Sequence, residues 1–113
     1  MRIISGTARG TKLYTLEGLD TRPTLDRVKE ALFSKINEEL TDSVVLDLFS
    51  GSGALGLEAL SRGAKKAYLV DSSFKAIKII KQNVQKTRFE NECEIISKDY
   101  IKALNLLSNQ KFD

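Results

Sequence analysis

The stretch VLDLFSGSGALGLEAL, Val45 to Leu60, decides how the chain is read. Val44 to Phe49 is an apolar run broken by one charge, Asp47, and suits a central parallel strand buried on both faces. Gly51, Gly53 and Gly56 then spell G-x-G-x-x-G, and a helix is expected from Ala54 to about Arg62, stopped by Gly63. Strand, glycine turn and helix in that order form the pattern usually taken as a dinucleotide fingerprint. Asp47 argues against that reading, because a pyrophosphate laid on the turn is repelled by a nearby carboxylate.

Downstream, Ala67 to Val70 reads as a second strand ending at Asp71, and Ser72 or Ser73 caps a helix with Ile77, Ile80 and Val84 on its buried stripe. Glu94 to Ser97 makes a third strand, and Asp99 caps a last helix through about Leu107. The order βαβαβα predicts an α/β doubly wound parallel sheet with right-handed crossovers. Ligands of such sheets bind beyond the carboxyl ends of the strands, so the glycine turn, Asp71 and Asp99 are expected on one rim. Asp71, twenty residues beyond Gly51, suits the two ribose hydroxyls of an adenosine-type ligand. Asp47 selects among such ligands: S-adenosylmethionine has no phosphate and carries a sulfonium and an α-ammonium, which a carboxylate favours. Asp99 reads either as an acceptor for the adenine amino group or as a plain helix cap, and the two roles are compatible.

Upstream, residues 1–14 contain Arg2, Arg9 and Lys12 and no acid, and read as a short basic hairpin. A turn-like linker, TLEGLDTRP, closes at the only proline, Pro23. Thr24 then caps a helix to about Leu40, with Leu25, Val28, Leu32 and Ile36 repeating on one face. Phe33 is assigned to the core, and Lys75, Lys78 and Lys81 to the wet face of their helix. The chain has no histidine and one cysteine, Cys93, which excludes Ser-His-Asp and Cys-His catalysis, an internal disulfide and Cys-rich metal sites. No metal is expected. Neither a membrane-length apolar run nor a signal-peptide core is present, so a reducing cytoplasm is the expected location. The net charge of +3 mildly favours a polyanionic partner.

VLDLFSGSGALGLEALSRGA, Val45 to Ala64, resembles the first motif of class I S-adenosylmethionine-dependent methyltransferases. RIISGTARGTKL near the start and TRPTLDRVKEALFSKI, Thr21 to Ile36, are similar to the bacterial RsmD family. That family methylates the exocyclic N2 amino group of a guanine in small-subunit ribosomal RNA. The resemblance implies a Rossmann-like sheet, here its first three βα units, preceded by a basic hairpin and a helix. Residues 1–23 form the arm and 24–113 the amino-terminal part of the cofactor-binding domain. It further implies that Asp47, Gly51 and Gly53 hold the methionine end of the cofactor, Asp71 the ribose and Asp99 the adenine region. Thr24 and Arg27 fall near the cofactor or the substrate entrance, and Arg2, Arg9 and Lys12 face 16S rRNA or the small ribosomal subunit.

The family places an Asp/Asn-Pro-Pro-Tyr/Phe motif after a fourth strand, to hold the target amine. With Pro23 the only proline, no Pro-Pro pair exists here, and Phe112 reads as the start of a strand that does not follow. The expectation is therefore a truncated methyltransferase with no catalytic residue of its own, weak cofactor binding at most and no transfer alone. An unpaired edge on the first strand is expected to promote self-association. Three rival readings stand beside this one. A DNA amino-methyltransferase lacks support from the RPT-x-DRV segment and from any target-recognition domain. An NAD-dependent oxidoreductase meets the obstacle of Asp47. A non-catalytic cofactor- or RNA-binding module is the third.

Overall fold

A computed structural model of the chain describes residues 2–15, 22–48, 50–108, 110 and 112, with side chains of the first helix described from Arg27 onward. Seven elements follow in order: α1 (Arg22–Leu40), β1 (Val44–Asp47), α2 (Ala54–Ser61), β2 (Lys66–Asp71), α3 (Phe74–Thr87), β3 (Cys93–Ser97) and α4 (Tyr100–Leu106). The strands form one parallel sheet in the order β1-β2-β3, with Val45 opposite Ala67 and Leu69 opposite Ile95.

β2 shows why the sheet is buried on both sides. Ala67 and Leu69 join a core with Leu57, Ile77, Ile80 and Val84, while Tyr68 and Val70 join a second core with Ile96, Ala103 and Leu107. Strand alternation sends successive residues to opposite faces, so an apolar strand of this length serves two layers at once. The crossovers from β1 to β2 and from β2 to β3 run in the same direction, and right-handed winding therefore puts α2 and α3 on one face. α4 packs on the other face, and the chain beyond it returns across β2. The Tyr68 hydroxyl donates to Gln110 Oε1 at 3.1 Å, and Phe112 meets the Tyr68 ring edge-on at 5.5 Å.

Several expectations need correction. The amino-terminal hairpin is a compact turn with a single antiparallel bridge, Arg2 to Lys12, rather than a pair of strands. Ile3 N–H donates to Thr11 O and Gly10 N–H to Ile3 O, both at 2.9 Å, and Ile3 and Leu13 are buried. α1 begins at Arg22, so Thr24 lies in its first turn rather than at its cap. Residues 16–21 of the expected linker, and the side chains of Thr24 and Leu25, lie outside the described residues.

The buried face of α1 is also displaced. Val28 is 62% and Leu32 45% exposed, whereas Lys29, Phe33 and Leu40 are buried and Ile36 is half-buried. The helix is thus rotated by one residue, about 100°, from the purely apolar stripe. The cause is polar: Lys29 pairs with Glu58 of α2 at 3.2 Å, and Arg62 lies 5.0 Å over the Phe33 ring. β1 ends at Asp47, with Leu48 in a turn and Phe49 outside the described residues. Phe112 packs against the second core, and no strand is assigned to it.

Candidate cofactor site

The candidate site is built where β1 and β2 end. Ser50 N–H donates to Val70 O at 2.9 Å, carrying the inter-strand bonding past Asp47, and Ser50 Oγ donates to Asp47 Oδ2 at 3.2 Å. The chain then turns across the end of β2. Gly51 N–H donates to Asp71 Oδ2 at 2.9 Å, and the other carboxylate oxygen accepts Ser73 N–H at 2.8 Å. Asp71 therefore ties the glycine turn to the start of α3. Each of its oxygens retains a further lone pair, so a ribose hydroxyl can be accepted without dismantling the turn.

Gly53 N–H donates to Ser50 O at 2.8 Å, and Gly53 precedes α2 in a left-handed conformation at φ 83°. No side chain caps α2, which leaves its first-turn amides for a ligand or for water. The third glycine has a different task. A Cβ on Gly56 would lie 2.2 Å from Leu69 Cδ2, so glycine is what lets α2 rest directly on β2.

Among the residues expected at the site, Asp47, Gly51, Gly53 and Asp71 are brought together by this short chain of bonds. Asp99 follows β3, the next strand along the rim, and its Oδ1 accepts Lys102 N–H at 2.8 Å as the cap of α4. It makes no bond to the other four among the hydrogen bonds described. Arg27 is exposed on α1, and Arg2, Arg9 and Lys12 are exposed on the arm. The bridge sets Arg2 directly opposite Lys12, an arrangement of like charges that is unfavourable without an anion between or beside them.

The residues that hold the arm in place were not anticipated. Glu58 is fully buried and accepts the amides of Ile4 at 2.9 Å and Ser5 at 3.1 Å, while pairing with Lys29 and with Arg62 Nε at 2.8 Å. Lys29 Nζ also donates to Arg2 O. Ser61 Oγ accepts Ala8 N–H at 2.9 Å and donates to Ser5 O at 2.6 Å. On α3, Asn83 is fully buried and bonds both backbone groups of Tyr14. A signal existed for Glu58, the lone charge in the apolar octamer ALGLEALS. For Asn83 the signal was an amide within the Ile77, Ile80 and Val84 stripe.

A groove of about 390 Å³ does not coincide with the turn. It runs between α1, β1 and α2, with Phe33, Ile36, Leu46, Leu55 and Phe112 on its walls, and Asp47 lies on its wall as well. Cys93 is no nucleophile: burial, followed by the charges of Glu92 and Glu90, pushes its thiol up to about 12, so it stays protonated. Among the described residues no cluster of three His, Cys, Asp or Glu side chains could hold a metal, and no helix is long and apolar enough to cross a membrane.

Comparison with known proteins agrees with this architecture. A model of the family described as "Conserved hypothetical protein 95" matches residues 1–113. The Haemophilus influenzae protein named ribosomal RNA small subunit methyltransferase D is 40% identical over 111 residues, which cover 97% of this chain and 58% of that protein. The solved structure of Escherichia coli yhhF superimposes with a TM-score of 0.80 at 36% identity, covering 92% of this chain and 55% of that one. An S-adenosylmethionine-dependent methyltransferase from Agrobacterium tumefaciens gives a TM-score of 0.66 at 26% identity, over 80% of this chain and 30% of that one. The chain thus spans somewhat more than half the length of the first two relatives.

Proposed function

The chain belongs to the RsmD family, the conserved hypothetical proteins 95, and on that premise we propose that it provides the donor-binding part of a cytoplasmic rRNA methyltransferase. The reaction is S-adenosylmethionine-dependent transfer of a methyl group to the exocyclic N2 of a guanine in 16S rRNA, free or within the small ribosomal subunit. One observation carries this reading: the glycine turn lies between two carboxylates, bonded to Asp71 through Gly51 and to Asp47 through Ser50. Asp71 suits the ribose of any adenosine-type ligand, whereas Asp47 beside the turn disfavours a pyrophosphate and favours a ligand bearing an ammonium and a sulfonium.

In this reading Asp47 and the backbone at Gly51 and Gly53 orient the methionine end. Asp71 takes the ribose hydroxyls, and Asp99 takes the adenine region beside its capping role. When bound, the cofactor supplies a methyl group on a positively charged sulfur. The protein's task is to hold that bond in line with an incoming amine and to exclude competing water. Thr24 and Arg27 border the entrance. Arg2, Arg9 and Lys12 contact RNA phosphates, which relieves the cross-strand repulsion between Arg2 and Lys12. The 113 residues include no Pro-Pro motif to receive the amine, so these residues alone are expected to bind the donor weakly at most and not to transfer its methyl group.

Two experiments test the roles. Replacing Asp71 by Asn is expected to weaken S-adenosylhomocysteine binding by about tenfold or more, the value of a hydrogen bond to a charged group. Unchanged affinity removes Asp71 from the site. Replacing Arg2 and Lys12 by Ala together is expected to lower the log–log salt slope of single-stranded RNA binding by about 1.4, or ~0.7 for each phosphate left without its cation. An unchanged slope removes the arm from the RNA surface.

A further inference from the structure

The arm and the glycine turn share a single side chain. Asn83 is fully buried in the middle of α3, and its amide makes three bonds in two directions. Tyr14 N–H donates to Asn83 Oδ1 at 2.7 Å, and Asn83 Nδ2 donates to Tyr14 O at 2.9 Å. The second Nδ2 hydrogen goes to Ser52 O at 2.8 Å, inside the turn between Gly51 and Gly53. An amide bonded to both backbone groups of one residue imitates a neighbouring strand, so Asn83 fixes the end of the arm as a sheet would. The same group also fixes the carbonyl between the two turn glycines. Its inventory of two donors and an acceptor leaves no hydrogen over.

The other end of the arm is held as firmly, on α2. Glu58 and Ser61 bind residues 4–8, and Gly6 passes so close that a Cβ there would lie 1.7 Å from Ser61 O. α2 begins at the turn, and α3 carries Asn83. The arm is therefore strapped across two helices, and the side chain that anchors its far end also bonds the turn.

We propose that Asn83 is a positioning residue that couples the seating of the arm to the shape of the glycine turn. A polyanion held by Arg2, Arg9 and Lys12 and a donor held by the turn then strengthen each other. The consequence for ligands rests on reading the turn as the donor site, whereas the mechanical coupling does not. Loosening the arm frees Tyr14, leaves Asn83 without two of its partners, and releases Ser52 O from its fixed direction. Linkage makes the effect reciprocal: the factor by which RNA improves donor binding equals the factor by which donor improves RNA binding.

Coupling is measured by disturbing the arm at a distance from the turn and following the turn in the full 113-residue chain. Gly6→Ala drives the arm off α2, and Ser61→Ala is the milder variant should Gly6→Ala fail to fold. Amide hydrogen exchange is followed at Ile3 and Gly10 in the arm, and at Gly51 and Gly53 in the turn. Either variant is expected to speed exchange at Gly51 and Gly53 by about 5- to 20-fold and to weaken S-adenosylhomocysteine by a similar factor, within the usual range of site-to-site coupling. In an Asn83→Asp background, which keeps the acceptor for Tyr14 N–H and loses both Nδ2 bonds, the arm variants are expected to change the turn no further. A purely structural Asn83 gives additive effects instead. Faster exchange at Ile3 and Gly10 with Gly51 and Gly53 unaltered overturns the proposal. If wild-type chain binds no S-adenosylhomocysteine, the functional reading fails, while the exchange rates still decide the coupling.

Discussion

The glycine turn has two unlike flanks. Towards the arm, Ile3 and Leu13 reach the core, and the backbone is held by directed polar bonds between groups far apart in sequence: Ile4 to Glu58, Ala8 to Ser61, Tyr14 to Asn83. Towards α1, the turn borders an apolar groove, with Leu32 and Leu55 exposed on its walls and Val28 exposed nearby on the same helix. Only the arm flank dictates a unique geometry. Hydrogen bonds to buried charges fix direction as well as distance, whereas apolar walls accept any surface of suitable shape. The arm flank is therefore the part of the molecule that sets the site, and the groove flank is the part that can still accept something.

The contrast yields a graded set of expectations. The largest effect belongs to Glu58→Ala, which strands Lys29 as a buried charge and removes the acceptor of two arm amides. Breaking a buried pair in this way costs about 3–5 kcal/mol, readable as a shift in the urea midpoint. A loss below about 1 kcal/mol would dissolve the distinction between the flanks. Next comes Gly56→Ala, whose new Cβ meets Leu69 Cδ2 at 2.2 Å. Overpacking there is expected to destabilise by about 1–3 kcal/mol and to shift α2 off β2.

On the groove flank the same measurement is expected to show little. Val28→Ser and Leu32→Ser remove exposed apolar surface and should change stability by less than about 0.5 kcal/mol. Their effect is expected in sedimentation, as a weaker tendency to self-associate through the β1 edge and groove. Equal self-association in the wild type and the double variant would show that this flank is not the sticky one.

The smallest effect concerns pH. Cys93 is held protonated to about 12 in the folded chain, while an unfolded thiol ionises near its ordinary value of 9.0. Between these values the unfolded state binds fewer protons, so stability falls as pH rises above 9 and is unaffected by this group below it. Cys93→Ala should flatten that alkaline slope, and alkylation of the native thiol at about pH 8, below the ordinary thiol range, should be slow.

The sheet was legible because its signals are local. Apolar runs, a glycine stop and Ser or Asp caps placed the strands, α2 and α4 within one or two residues of their observed ends and α3 at its start, with Ser73, one of two serines offered, and Asp99 as the caps. The rim residues were legible for the same reason, since each sits at the end of a strand. What escaped was long-range and polar. The apolar stripe of α1 points to the wrong inward face because Lys29 is buried, and hydropathy patterns send every lysine outward. The arm reads as a solvated hairpin because its partners Glu58, Ser61 and Asn83 lie 53 to 69 residues away. No spacing rule links positions that far apart.

The central claim is that Asp47, beside a glycine turn whose ribose acceptor is Asp71, selects a donor bearing an α-ammonium over one bearing a pyrophosphate. Calorimetric titration of the 113-residue chain with S-adenosylhomocysteine and, separately, with NADH tests it most directly. The expected result is saturable binding of S-adenosylhomocysteine, weakened by about tenfold or more in Asp71→Asn, and no binding of NADH at the same concentrations. Tighter binding of NADH, or S-adenosylhomocysteine binding indifferent to Asp47 and Asp71, would contradict it.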